Sequence, residues 1–532
     1  MSANLSPEYL AAEEEHRSAG TAAEKIAALE KMLATMKTLI AALAVCGSVG
    51  LSSAAEPSPV VGISWESVVR VSNTTPSLQV VVNPPLRRGS KIHTRVFQAL
   101  RDVQPDYARY VPWLPYPRLA VAELEPPHDG ETSWDFSLID PMTVDFLEAT
   151  KGHPEVLNFS TTPQWMWVTP APVAYPADPD EPMWNYTQGA QLRDPSGKEL
   201  ADYYARLAGW YTRGGFVDEY GKRHESGHHY TVDWWEVLNE PDLEHRITPE
   251  LYTQIYDAIV GGIREAAPEM KFVGVSVAGP SRQPEMFEYF LNPRNHKAGI
   301  PLDAISYHFY ASPAKDEPPE AQQFTFWDQA AGFLNTVRYV DAIRKRLSPK
   351  TATMINEVGA ISADDREQNQ PGHVMQPIPN SYWNLCGALY AYLFAELSTL
   401  GIETVNASQL VGYPTQFPSV SLVDWETGQP NARFWVLKLL RGRFGPGDKL
   451  VRTSQPGPDV YAQAFLSRDN QRRLLLVNRR NRDIEITVPQ AGGATIQYVD
   501  QTTGFQPPAA ATLAGDRVRL GGYSVAVVEF AR

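Results

Sequence analysis

Cysteine is nearly absent from this sequence. Only Cys46 and Cys386 occur in 532 residues, so no disulfide network organises the fold. A chain of this length can bury a large core without staples, and the scarcity of cysteine does not argue against export. Positive charge is also short. Lys and Arg number 47 against 61 Asp and Glu, a formal net charge of −14. That balance disfavours nucleic acid as a partner and suits a protein acting on neutral ligands. Missing too is an apolar run of the roughly 18–20 residues that a membrane span requires. The best candidate, from about Leu39 to Leu51, is shorter than that.

That short run has its own meaning. Met36-Lys37 precedes it and Ser53-Ala54-Ala55 follows it, before Glu56. Basic start, short apolar stretch and small residues are the order of a secretory signal. We therefore expect residues 36–55 to be a signal peptide. The chain would be exported to the periplasm or the extracellular space, with no stable membrane insertion after processing. Residues 1–35 then read as an N-terminal extension from an upstream start. Cys46 would be removed with the signal, leaving no intrachain disulfide.

Aromatic residues are plentiful. Thirteen tryptophans are enough to floor a sugar-binding cleft, where flat rings meet the apolar faces of pyranoses. Structural filler is the alternative for most of them.

The stretch Trp234-Trp235-Glu236-Val237-Leu238-Asn239-Glu240-Pro241 organises the rest. From Val232 it alternates like a pleated strand. Pro241 cannot continue a central strand, so Asn239 and Glu240 fall at its C-terminal end. A second run, Thr351-Ala352-Thr353-Met354-Ile355-Asn356-Glu357, ends in another glutamate. Two strand-end carboxylates are what glycoside cleavage requires, one as acid and one as nucleophile or base. A lone glutamate there would read as a solvated terminus.

Eight strand candidates begin near residue 77: 77–83, 107–112, 156–160, 232–239, 272–278, 304–309, 353–357 and 403–406. Amphipathic helical patterns lie between most of them. The alternation predicts an α/β fold, a (β/α)8 barrel over 60–445, with chemistry at the C-terminal ends of the strands. From 446 to 532 the helical patterns stop, and short strands separated by turns predict a β-sandwich. Long loops at 168–193, 311–328 and 362–381 follow strands. They are expected to wall the pocket, with Trp165, Trp167 and Trp327 as stacking groups. Trp425 would line the pocket or sit in an ordinary turn. Arg109 would point into the barrel or at the substrate.

These residues resemble clan A retaining glycoside hydrolases, most closely glycoside hydrolase family 39, which includes β-xylosidases and α-L-iduronidases. The resemblance rests on Trp235-Glu236-Val237-Leu238-Asn239-Glu240-Pro241, on Ser306-Tyr307-His308-Phe309-Tyr310 and on Ile355-Asn356-Glu357. It implies that Glu240 is the acid/base and Glu357 the nucleophile. It also implies that Asn239 binds the sugar 2-hydroxyl, and that His308 or Tyr310 holds Glu357. The expected substrate is a glycoside or oligosaccharide, such as a β-xyloside. No metal or organic cofactor is expected. A retaining mechanism would set the carboxyls about 5–5.5 Å apart. The segments Asn83-Pro84-Pro85 and Trp113-Leu114-Pro115-Tyr116-Pro117-Arg118 depart from the xylosidases where the sugar pocket is shaped.

Two rivals stand beside this reading. One is a carbohydrate-binding protein that kept the barrel without the catalysis. The other is a zinc peptidase on His224-Glu225-Ser226-Gly227-His228, which matches H-E-x-x-H. Gly227 and the strand that follows predict a loop there, where two histidines cannot share a helix face.

Overall fold

The computed structural model describes residues 11, 14–16, 20–21, 23–34, 58–170, 174–370 and 372–531. The proposed signal segment 36–55, with Cys46, lies outside the described residues. The chain divides into two units, Met1–Ser58 and Pro59–Arg532. In the first, residues 23–34 are helical. Thr21 and Glu24 exchange hydrogen bonds between side chain and backbone at its start, a capping box.

The second unit contains a closed barrel of eight strands. After β1 (Gly62–Val71), the barrel strands are β2 (Thr75–Val81), β3 (Ala108–Val111) and β4 (Glu155–Leu157). A small hairpin of β5 (Gly215–Val217) and β6 (Arg223–Glu225) interrupts them. The barrel resumes with β7 (Trp234–Glu236), β8 (Lys271–Val277), β9 (Ala304–Ala311), β10 (Ala352–Ala360) and β11 (Thr404–Ala407). Every barrel pairing is parallel. All eight predicted strands are present, and helices cross over outside them. Thr248 caps one of these by accepting the Leu251 N–H, with Pro249 at the first helical position.

β1 was expected inside the barrel domain. It pairs instead with β12 (Lys449–Ser454), so the chain enters the C-terminal sheet before it enters the barrel. The remaining strands are β13 (Val460–Leu466), β14 (Arg472–Asn478), β15 (Ile484–Thr487), β16 (Thr495–Val499), β17 (Ala509–Thr512), β18 (Arg517–Leu520) and β19 (Val525–Glu529). Seven strands form one sheet, in the order β1-β12-β13-β14-β19-β16-β17, and β15 pairs with β18. Alternation lets the larger sheet bury both faces. On β13, Val460, Ala462 and Ala464 fill the sandwich core, while Tyr461 and Phe465 join the barrel's. β14 and β19 repeat this with Leu474 and Leu476 against Leu475 and Val477, and with Ala526 and Val528 against Val525 and Val527.

The predicted loop at 311–328 is shorter than expected. A helix runs Pro319–Leu347, with Pro319 at its first position. Phe326, Trp327, Ala330, Phe333, Leu334 and Val337 form its buried stripe. Trp327 is therefore a packing residue, not a sugar-stacking one. Its indole N–H donates to the Arg479 carbonyl at 3.0 Å, and the Arg479 guanidinium lies 4.8 Å from its ring centre. The residue ties the barrel's outer helix to the sandwich. Trp327→Ala is expected to cost about 3–5 kcal/mol of unfolding free energy. Denaturant titration checks this, and unaltered stability would contradict it.

Candidate active site

The site lies at the C-terminal ends of the barrel strands and is built around a buried cation. Arg109 on β3 is fully buried, and its guanidinium binds groups from four other strands or strand ends. Nε donates to Glu236 Oε2 at 2.5 Å. Nη1 donates to Gln79 Oε1 at 2.7 Å and to Glu357 Oε1 at 2.5 Å. Nη2 donates to Asn239 Oδ1 at 2.6 Å and to Ser276 Oγ at 3.3 Å. All of the guanidinium's N–H groups are thereby satisfied.

Glu236 is the structural member of this set. Besides Arg109 it accepts from Asn158 Nδ2 at 2.6 Å, Ser306 Oγ at 2.5 Å and Asn356 Nδ2 at 2.5 Å. With four donors its carboxylate has no capacity left for a substrate. Asn356 is thus occupied behind the site, whereas Asn239 lines the cavity.

Past Glu236 the backbone leaves the regular ladder. Leu238 and Glu240 take positive φ values of 61° and 41°, as do Val275 and Ser276 at 79° and 47°. Such conformations are costly for residues with side chains and cluster at working sites. The Glu240 N–H donates to the Ser276 carbonyl at 2.9 Å, and Asn158 Nδ2 donates to the Leu238 carbonyl at 3.0 Å. These bonds hold the turn that carries Glu240 into the cavity.

Glu357, on β10, faces three positive or donating groups. Arg109 binds one oxygen. The Tyr310 hydroxyl donates to the other at 2.6 Å, and His308 Nδ1 lies 3.5 Å from that same oxygen. Tyr310 also lies 2.6 Å from Ser408 Oγ, to which Gln79 Nε2 donates. Gly359 sits beside Tyr310 in the ladder, and a Cβ there would come within 3.0 Å of the tyrosine ring. A side chain at this position would crowd that ring.

His308 is bonded elsewhere. Its Nδ1 lies 2.7 Å from Glu240 Oε1, and Nε2 is 3.2 Å from Ser276 Oγ. One ligand atom each from Glu240, His308 and Glu357 lie within 4.8 Å of one another. These charges push the two carboxyls apart. Burial alone would raise Glu357, but the positive charges of His308 and Arg109 and the Tyr310 hydrogen bond hold it below the usual carboxylate range. Burial raises Glu240, and the Glu357 charge adds to that against the pull of His308. Burial disfavours the imidazolium of His308, but the Glu357 charge and the Glu240 bond raise it above the ordinary histidine value. These surroundings favour the ionised form of Glu357 and the protonated form of the Glu240–His308 pair.

A third carboxylate stands behind them. Glu244 accepts from Trp113 Nε1 at 2.6 Å, Asn239 Nδ2 at 2.7 Å and Gln188 Nε2 at 2.7 Å. Burial, and next the charge of Glu240, push its pKa up to about 8. Between Arg109 on its oxygen and Glu244 on its nitrogen, the Asn239 amide is fixed in one orientation. One N–H remains free to meet a ligand.

The cavity above measures about 360 Å³. Its polar lining includes Gln79, Asn239, Glu240, Glu357, Ser408 and Gln409. Its apolar lining includes Trp113, Trp184, Leu243, Ile361 and Phe417.

The tryptophans proposed from the sequence are elsewhere. Trp165 donates to the Glu123 carbonyl at 3.0 Å and is covered by Arg193 at 4.7 Å. Trp167 is buried against His245, with ring centres 4.2 Å apart. Trp425 is packed at the edge of the core in the turn after β11 and does not line the cavity. Trp235 stacks on Phe159 on the outer face of its strand, and Trp234 lies toward the strand's other end, beside Tyr107 and Lys271. Neither walls Glu240, because alternation sends Trp235 away from Glu236. The aromatic wall comes instead from Trp113, Trp184 and Phe417. Trp113 stands in the segment whose departure from the xylosidases was visible in the sequence.

His224 and His228 do not form a metal site. His224 belongs to the hairpin strand β6 and lies 2.8 Å from Asp218. His228 is 2.9 Å from Asp140. With no helix and two separate aspartates, the zinc-protease geometry is absent.

Comparison with known proteins bears first on the sandwich. Residues 458–528 match the C-terminal immunoglobulin-like domain of D-apionate lactonase. No curated protein sequence matches the chain. Solved structures match across most of it. A GH51 arabinofuranosidase from Xanthomonas axonopodis pv. citri is 13% identical with a TM-score of 0.62, over 90% of this chain and 100% of its own. A glucosidase from Croceicoccus marinus is 12% identical with a TM-score of 0.57, over 90% and 100%. A GH30 endoxylanase from Clostridium papyrosolvens C71 is 13% identical with a TM-score of 0.53, over 89% and 100%. Likeness at these identities establishes the shared fold, a barrel with an appended β domain.

Two substitutions test the framework. Arg109→Ala leaves Glu236 and Glu357 facing each other uncompensated and should cost about 3–5 kcal/mol. Adding Glu236→Gln should recover part of that, as read by equilibrium unfolding; an equally unstable double variant would contradict the pairing. Glu244→Ala releases the Asn239 amide and should lower turnover by about 100-fold with the thermal midpoint little changed. Undiminished turnover would show that Glu244 positions nothing.

Proposed function

We propose that this protein is a retaining glycoside hydrolase in which Glu357 is the nucleophile and Glu240 the acid/base. The observation that carries the reading is the carboxylate pair. Two strand-end glutamates offer oxygens within 4.8 Å of each other, and their environments push them toward opposite protonation states. Oxygens this close fit the short carboxyl separation of double displacement, about 5–5.5 Å.

The chemistry follows from these positions. Glu357, ionised, attacks the anomeric carbon as Glu240 gives its proton to the departing oxygen. The glycosyl ester that forms cancels the Glu357 charge. That charge is one of the causes raising Glu240, so the acid weakens its hold on a proton at that stage. It can then take one from water, which cleaves the ester and releases the sugar. Asn239, held at both ends, has an N–H to offer the sugar 2-hydroxyl.

A β-xylosidase is the finer reading. The family 39 resemblance supports it, as do the arabinofuranosidase and endoxylanase named among the similar folds. Export by the segment 36–55 belongs to the same reading and is supported by its residue order. The lactonase-like match concerns residues 458–528, none of which lines the cavity, so the sandwich is read as structural support.

Rates on aryl β-xylosides, α-arabinosides, β-glucosides and uronides test this. Glu357→Ala should abolish turnover, and azide should restore part of it as a glycosyl azide of inverted configuration. Activity that survives Glu357→Ala would overturn the assignment. The pH profile should be bell-shaped: acid neutralises Glu357 and alkali removes the proton from the Glu240–His308 pair. Glu240→Gln should flatten the alkaline limb on substrates with activated leaving groups. An unchanged limb would place the acid elsewhere.

A further inference from the structure

The cavity contains an aromatic assembly that neither the motifs nor the carboxylate pair account for. Trp113 and Trp184 meet edge to face with ring centres 5.8 Å apart. Phe417 lies 6.1 Å from the first and 5.8 Å from the second. Three loops, after β3, β4 and β11, converge to make this cluster.

The rings turn their polar atoms away from the cavity. Trp113 Nε1 is bonded to Glu244, and Trp184 Nε1 donates to the Thr415 carbonyl at 3.1 Å. What remains for a ligand is apolar surface. The loop bearing Phe417 is held firmly. Gln416, fully buried, donates to the Val82 and Leu114 carbonyls at 3.0 and 3.1 Å and accepts from Asn83 at 3.0 Å. Phe417 itself sits at φ 48°, which a bulky residue adopts only when its surroundings impose it.

The polar side of the cavity is poor in positive charge. Among the described residues no Lys or Arg lines it, because Arg109 is fully buried beneath and engaged. Glu357 is anionic, and the cations beside it, Arg109 and His308, are already engaged by the protein's own carboxylates. A ligand here meets polar groups on one side and must offer a C–H surface to the other. A carboxylate on the sugar would bring acceptor against acceptor and charge against charge in a buried site.

Resting on the hydrolase reading above, we infer that the cavity selects an uncharged sugar ring, its C–H surface packed against the wall formed by Trp113, Trp184 and Phe417, and that it rejects uronic acids. Trp184 and Phe417 are specificity-determining residues in this account.

The test is binding of free monosaccharides, which needs no turnover. Calorimetric titration of the full chain near pH 7 with xylose, glucose and glucuronate should show the neutral sugars binding at least 10-fold more tightly than the uronate. Trp184→Ala should raise the dissociation constant for the neutral sugars roughly 10-fold, the scale of one lost ring contact. Trp184→Phe should recover most of that, which a merely misfolded loop would not. Uronate binding as tight as the neutral sugars would overturn the inference. So would a dissociation constant indifferent to Trp184→Ala, or no binding of any sugar by the wild type. Selective binding without hydrolysis of any glycoside would sink the enzymatic reading while leaving this one standing, and uronide hydrolysis would do the reverse.

Discussion

Among the described residues, Arg109 alone carries a charge that touches both the structural carboxylate and the reactive one. A guanidinium stripped of water is tolerated because Glu236 and Glu357 offset its charge and three further acceptors satisfy its geometry. The consequence runs both ways. Glu357 is kept ionised by a cation that cannot leave, and the cation is kept in place by Glu236, which is itself saturated by three other side chains. Removing any one of these strands a buried charge, so folding and reactivity depend on the same few bonds.

Around that fixed point the site separates two carboxylates by environment instead of by residue type. Glu357 meets Arg109, Tyr310 and the His308 charge. Glu240 is bonded to His308 and faces the like charges of Glu357 and Asp242, at the tip of a backbone turn of unfavourable conformation. His308 bridges them and answers to both, so the three groups titrate together and their protons belong to the set. The ordering is maintained from outside by second contacts: Gln79 and Ser408 behind Tyr310, Ser276 behind His308, and Glu244 behind Asn239.

The sequence made the barrel legible for a simple reason. Its strands are short β-prone runs bounded by turns and helical patterns, and all eight stand where those patterns fall. Glu240 was legible because the proline after it stops the strand, and Glu357 because it closes a short β-prone run, although β10 continues through Gly359 to Ala360. What failed to show was anything set by the third dimension. Trp327 fell within the loop expected over 311–328, whereas Pro319, a good first residue of a helix, starts the helix there. Arg109 and Glu236 are inward-facing charges on buried strands, and that mismatch was the available sign that they pair. No local pattern could indicate that Trp113, Trp184 and Phe417, distant in sequence, converge on one wall. Nor could any pattern assign the strand Gly62–Val71, which pairs with a partner nearly 400 residues away.

The central claim is that Glu357 forms a covalent bond to the sugar. Its most direct test is incubation of the wild-type protein with a 2-deoxy-2-fluoro glycoside bearing an activated leaving group, followed by mass spectrometry of the intact chain and of its peptides. The account predicts one fluoroglycosyl adduct per chain, on the peptide containing Glu357, lost slowly on dilution as activity returns. A mass shift on a different residue, or stoichiometric release of the leaving group with no adduct at any time, would contradict it.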